Sequence, residues 1–130
     1  MALRVGQFQA MHYKHKFQVP RPSYLAPALM PPIDPPGHAS FPSAHATESW
    51  LVARCLKEVM PVEAHEALDR MAERIARNRE VLGVHYPSDS AAGKKLAAKT
   101  SELLLDAEAC KLFAALKADA KAEWAPDDAG

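Results

Sequence analysis

Phe41-Pro42-Ser43-Ala44-His45-Ala46-Thr47 marks the point at which this chain changes character. Before it the sequence is rich in proline. After it apolar residues recur at helical spacing. Pro42 and Ser43 read as a helix start, with proline tolerated at the edge and serine available as N-cap. A helix start presents free backbone N–H groups and the positive end of a dipole, which together favour an anion. His45 falls in the first turn, beside any anion held there.

Downstream of this turn the pattern stays helical. A helix is expected from Ser43 to about Val59, with Trp50, Leu51, Ala53, Leu56 and Val59 on its buried face. Pro61 interrupts it. A second helix is expected from about Val62 to Val81, burying Ala64, Leu68, Met71, Ile75 and Val81, with Gly83 at its end. After a short loop from Val84 to Ser88, one of Ser88, Asp89 or Ser90 caps a third helix that runs to about Leu105. Asp106 is expected to cap a final helix through Phe113, Leu116 and Trp124, leaving 126–130 as a frayed acidic tail.

Upstream, Ala2 to Phe17 lacks proline and carries Leu3, Val5, Phe8, Met11 and Tyr13 as an imperfect apolar face. Between Val19 and Pro42 fall Pro20, Pro22, Pro27, Pro31, Pro32, Pro35, Pro36 and Pro42, so neither helix interior nor central strand is possible there. Tyr24, Leu25, Leu29, Met30, Ile33 and Phe41 need cover, which argues for an ordered loop packed on helices. No strand alternation and no repeat occurs. The expected fold is all-α: one helical domain over 1–125, a bundle of about four to five helices with a long proline-rich ordered loop.

Composition narrows the function classes. Sixteen Lys and Arg balance sixteen Asp and Glu, so no global field draws nucleic acid or an acidic membrane. No run of about 18 apolar residues exists to cross a bilayer. No signal peptide is evident in the first residues, so the chain as given is expected to be cytoplasmic, or periplasmic or secreted if it belongs to a longer precursor. Cys55 and Cys110 read as small buried thiols. His12 and His15 share a helix face but have no third ligand nearby for zinc.

Several residues can complete an anion site around Ser43 and His45. Arg21 and Arg79 can each grip two oxygens of a tetrahedral oxyanion through the guanidinium fork. Lys14 adds a compact charge, and Ser43 can donate its hydroxyl. His85 and His45 can divide the chemistry, one imidazole attacking phosphorus or coordinating a metal-oxyanion centre, the other supplying a proton. Asp89 can accept the hydrogen bond of the attacking ring and fix its tautomer.

Lys14-(six residues)-Arg21-Pro22, Pro42-Ser43-Ala44-His45 and Arg79-(five residues)-His85-(three residues)-Asp89 together resemble the three-part signature of the type 2 phosphatidic acid phosphatase and vanadium-dependent haloperoxidase superfamily. The flanking words, FPSAHAT and GVHYPSD, are similar to its soluble bacterial haloperoxidase-related branch. The resemblance covers roughly Lys14 to Leu105. It implies a helical bundle in which Lys14, Arg21, Ser43, the amide of Ala44 and Arg79 hold phosphate or vanadate. It makes His85 the phosphate-accepting nucleophile, or the vanadium ligand, with His45 as acid–base and Asp89 orienting His85. His38, seven positions before His45, resembles the histidine near the metal centre of bromoperoxidase-type members. On that ground the expected activity is vanadate-dependent halide oxidation by peroxide, with phosphomonoester hydrolysis through phosphohistidine as the alternative and an inactive remnant or helical interaction module as the second. The chain departs from the family pattern at Ala44, where glycine is usual, and at Asn78, where serine is usual. Family members also carry helices before the first part, so either missing upstream helices or a homo-oligomer is expected to cover the exposed faces. The partners implied are small molecules: a phosphate ester, or peroxide and halide.

Overall fold

The computed structural model describes residues 1–123. Those residues form helices and loops with no strand, as the sequence pattern requires. Helix α1 spans Ala2–Phe17 and a short α2 spans Pro22–Leu25, followed by a 3₁₀ turn at Pro27–Leu29. Then come α3 (Ala44–Lys57), a 3₁₀ turn at Val62–Ala64, α4 (His65–Val81), α5 (Pro87–Leu105) and α6 (Lys111–Glu123). Trp124 and the expected acidic tail lie outside the described residues.

Helix α3 is the central element. It packs against α1, α4 and α5, and α6 touches the bundle through α5. The faces that meet are built from small residues. On α1 the buried positions are Gly6, Ala10 and Lys14, four apart and therefore on one stripe. On α4 they are Ala72 and Ala76. On α5, Gly93 and Ala97 face α3, and a Cβ at Gly93 would stand 2.8 Å from both the Ala46 Cβ and the Ser43 carbonyl oxygen. Small side chains let helix backbones approach closely, and on α1 and α4 the large apolar residues stand at the flanks.

This corrects several expectations. On α3, Trp50, Leu51 and Ala53 are buried as expected, whereas Leu56 is only half-buried; the helix ends at Lys57, so Val59, also half-buried, lies beyond it. On α4, Met71 and Val81 are exposed, and Leu68 and Ile75 are half-buried at the flanks of the alanine stripe. On α1, Leu3, Phe8 and Met11 are exposed. The proline-rich segment is ordered, but not by burying its apolar side chains: Tyr24, Leu25, Leu29, Met30 and Ile33 all face outward. Buried cations hold it instead. Lys14 Nζ donates to the Ala39 and Ser40 carbonyls at 2.8 Å each. Arg21 Nε donates to Pro36 and His38 carbonyls at 3.1 Å, and its Nη2 to Ala39 at 3.4 Å.

Helix ends also differ in detail. Ser43 is the N-cap of α3, its Oγ accepting from the Ala46 amide at 3.3 Å. The cap of α5 is Tyr86 rather than Ser88, Asp89 or Ser90, because Pro87 occupies the first helical position. Asp89 lies three residues in, and its Oδ2 accepts the Tyr86 amide at 3.0 Å. Asp106 closes α5 and accepts the amides of Glu108 and Ala109, while α6 begins only at Lys111. Gly83 takes a left-handed φ of 70° after α4, as a helix-ending glycine should. Of the two cysteines, Cys55 is buried and Cys110 half-buried, and both are free thiols.

Candidate active site

The start of α3, the end of α4 and the start of α5 converge, together with loop 36–40 and the cationic end of α1. The amide of Ser43 donates to the Asp89 carbonyl at 3.0 Å, which ties the first turns of α3 and α5 to each other. Beside this junction lies a cavity of about 170 Å³ lined by Gln7, Met11, Arg21, Pro36, His38, Ala44, His45, Glu48, Arg79 and His85. Four stretches of sequence, 7–11, 21–38, 44–48 and 79–85, thus meet at one hollow.

The nine residues singled out by sequence divide into two groups. Arg21, His38, Ala44, His45, Arg79 and His85 line the cavity. Lys14, Ser43 and Asp89 stand behind its wall, all fully buried. Ala44 occupies the first turn of α3, where the backbone amide lacks a helical partner. Its φ is not positive, so alanine stands there without backbone strain where glycine is usual.

His85 is held on both sides. Its Nδ1 lies 2.9 Å from Asp89 Oδ2, and its Nε2 lies 3.3 Å from Arg21 Nη1. Arginine can only donate, so Nε2 accepts and the proton sits on Nδ1, directed at the carboxylate. That tautomer puts the Nε2 lone pair on the cavity side, where Arg21 Nη1 donates to it. Burial pushes the His85 imidazolium down to about 4, against the raising effect of Asp89, so the ring is neutral at pH 7. Burial alone would push the Asp89 carboxyl up. Hydrogen bonds from His85, Ser40 and the Tyr86 amide outweigh it and hold the group below its ordinary value. Asp89 Oδ1 has no hydrogen-bond partner among the described residues.

The cations crowd one another. Burial, then the neighbouring Arg21, bring Lys14 down from 10.5 to about 7. Burial and then Arg79 lower Arg21. The buried Nε of Arg79 has no partner among the described residues. Desolvation lowers His45, and Arg79, Lys14 and Arg21 lower it further. Burial first, and then Lys14 and Arg21, also lower His38 against the raising effect of its hydrogen bond at the Ala39 carbonyl, and its Nδ1 accepts from Arg21 Nη2 at 3.1 Å. An anion entering the cavity would relieve this repulsion and satisfy the orphaned Arg79 Nε.

Ser40 was not legible in the sequence as a site residue. It is fully buried, its Oγ donates to Asp89 Oδ2 at 2.5 Å, and it lies 3.3 Å from His85 Nδ1. It carries no motif spacing of its own, and only the folded loop brings it to Asp89. Val84 is similar: its carbonyl accepts Arg21 Nη1 at 2.8 Å through the backbone, which no side-chain pattern encodes. Glu48 and Gln7 also line the cavity without having been singled out. No cluster of metal-ligating side chains occurs among the described residues, and His12 and His15 remain on the surface.

No family model matches the chain. It is similar to the decaprenylphosphoryl-5-phosphoribose phosphatases of two species. With that of Mycobacterium tuberculosis it shares 36% identity over 78 residues, which is 60% of this chain and 42% of the relative. With that of Mycolicibacterium smegmatis it shares 40% identity over 73 residues, 56% of this chain and 38% of the relative. The chain thus spans about two-fifths of the length of the curated relatives it matches. Both relatives are named as phosphatases. No helix among the described residues is long and apolar enough to cross a membrane.

Proposed function

We propose that this chain carries the catalytic site of a phosphatase that cleaves phosphate monoesters through a phosphohistidine. The observation that carries the reading is His85, with Nδ1 bound to Asp89 and its Nε2 lone pair facing a cavity ringed by Arg21, Arg79 and His45. In this reading the fork of Arg21, the free Nε of Arg79 and the amide of Ala44 grip the phosphate oxygens. Lys14 acts from behind by adding field and fixing loop 36–40.

Nε2 of His85 attacks phosphorus as the bond from phosphorus to the alcohol oxygen breaks. Protonated His45 gives its proton to that oxygen, so the alcohol leaves neutral. Asp89 stabilises the positive charge that the phosphorylated ring acquires. Water then attacks the same phosphorus, neutral His45 takes its proton, and the P–N bond breaks to release phosphate and free His85. Arrival of a phosphate dianion raises the His45 pKa, so substrate binding itself loads the proton donor.

The relatives support the choice of phosphate ester over peroxide-dependent halide oxidation, the reading that His38 first suggested. His38 has a different partner, the Arg21 guanidinium. The orphaned Arg79 Nε and the His85 Nε2 also suit vanadate, which as a tetrahedral oxyanion competes with the substrate in this reading. The names of the relatives make a sugar phosphate borne on a long prenyl phosphate a substrate to test. The experiment is hydrolysis of p-nitrophenyl phosphate and ribose 5-phosphate, with trapping of acid-labile phosphate on the protein. Turnover that vanadate inhibits and that is largely lost in His85→Ala is expected. A His85→Ala protein with undiminished turnover overturns the proposal, and so does bromination that requires vanadate in the absence of hydrolysis.

A further inference from the structure

The cavity holds one group that phosphate chemistry does not use. Glu48 lies on the same face of α3 as Ala44 and His45, one turn further along, and lines the cavity with them. Its carboxylate has neither a hydrogen bond nor an ion pair among the described residues, although it is half-buried. An acceptor-only, negatively charged group repels a phosphate dianion. It therefore cannot belong to the end of the cavity that holds phosphate. It is suited instead to donors, and the leaving alcohol is the part of the ligand able to supply them.

Gln7 lines the same cavity. Helix α1 approaches α3 so closely at Gly6 that a Cβ there would lie 3.3 Å from the Glu48 Cα and 3.5 Å from its Cγ. Gln7, the next residue, lines the same cavity as Glu48. The Gln7 Oε1 accepts from Arg4 Nη1 at 3.3 Å, which leaves the amide NH₂ free to donate. A carboxylate that accepts and an amide that donates match neighbouring hydroxyls, each of which does both. Carboxylates hold sugar diols elsewhere by the same chemistry. At about 170 Å³ the cavity is smaller than a drug-sized pocket and suits a phosphate with a small polyol.

We propose that Glu48 and Gln7 form a hydroxyl-binding subsite that selects monophosphates of sugars or polyols. The inference rests on the phosphatase reading, and its test separates the two. Burial raises the Glu48 carboxyl above its ordinary value, and hydroxyls donating to it would bring it back down.

The measurement is equilibrium binding of inorganic phosphate, methyl phosphate and ribose 5-phosphate to the whole chain and to Glu48→Gln and Gln7→Ala. Ribose 5-phosphate is expected to bind more tightly than methyl phosphate. Glu48→Gln is expected to weaken ribose 5-phosphate by about tenfold, the worth of a hydrogen bond to a charged group, while methyl phosphate binds unchanged or more tightly. Glu48→Asp should recover part of the preference, and matching thermal melts would show that the variants fold. Equal affinity for the two esters in the parent protein overturns the subsite, as does a Glu48→Gln protein that loses both equally. Absence of binding by all three anions overturns the phosphate site and the subsite with it.

Discussion

Replacing Lys14 with methionine keeps the stem and deletes the charge, and the structure fixes how the difference should vary with pH. Lys14 is 1% exposed, and its pKa falls from 10.5 to about 7. The cause is burial first, then Arg21, partly offset by Asp89. The fall corresponds to roughly 5 kcal/mol against the charged form in the native state. The unfolded chain keeps the proton up to about pH 10.5, so folding releases it between pH 7 and 10.5. Stability owed to this group therefore rises with pH across that window and is flat below it, at about 1.4 kcal/mol per pH unit. Urea melts at pH 6, 7, 8 and 9 should show wild type gaining about 2–3 kcal/mol on Lys14→Met between pH 7 and pH 9. Phosphate added at pH 8 should then return a proton to Lys14, because an anion nearby restores its charge. Titration calorimetry in buffers of different ionisation heat would read this as proton uptake that Lys14→Met reduces. A stability difference independent of pH, or proton uptake unchanged by the substitution, would refute the reasoning.

Phosphatase kcat/KM should peak in acid. Its lower limb reflects protonation of His85 near pH 4, and its upper limb the loss of the His45 proton below the ordinary histidine value of about 6.5. A pH profile on p-nitrophenyl phosphate checks both limbs. Gly93→Ala should cost about 1–3 kcal/mol or more, because its methyl would meet Ala46 and the Ser43 carbonyl at 2.8 Å; chemical denaturation measures it. Ser40→Ala removes the donor to Asp89 and should raise the Asp89 pKa and lower kcat, with KM for phosphate esters less affected. Ser43→Ala should lose about 1 kcal/mol of stability through the α3 cap, read in the same denaturation assay.

Helical spacing was readable wherever the chain alternated apolar and charged residues, and the helix limits of α1, α3 and α4 follow from proline and glycine positions. Which side of each helix would be buried was harder to read. Apolar periodicity pointed to Phe8, Met11, Met71 and Val81, whereas the close contacts belong to Gly6, Ala10, Ala72 and Ala76. Counting hydrophobic residues undervalues positions where the gain is backbone proximity. The cavity residues could be found because their side-chain chemistry and spacing are distinctive: Arg21 and His85 from loops, His45 from α3 and Arg79 from α4 arrive at one hollow. Ser40 and the Val84 carbonyl could not, since their roles depend on loop conformation. Lys14 was legible as a charge near the site. Its grip on the Ala39 and Ser40 carbonyls was not, because backbone acceptors leave no mark in the sequence.

The hydrogen bond from Arg21 to His85 Nε2 has a consequence for the resting protein. In the free protein the nucleophile's lone pair is already engaged, so an acylating reagent or a stray transition-metal ion meets a masked nitrogen. The reactive atom is uncovered only when an oxyanion draws the guanidinium toward itself. The ligand that is to be attacked thus also unmasks its attacker, and His45, open at the cavity mouth, should be carbethoxylated well before His85 unless phosphate is present.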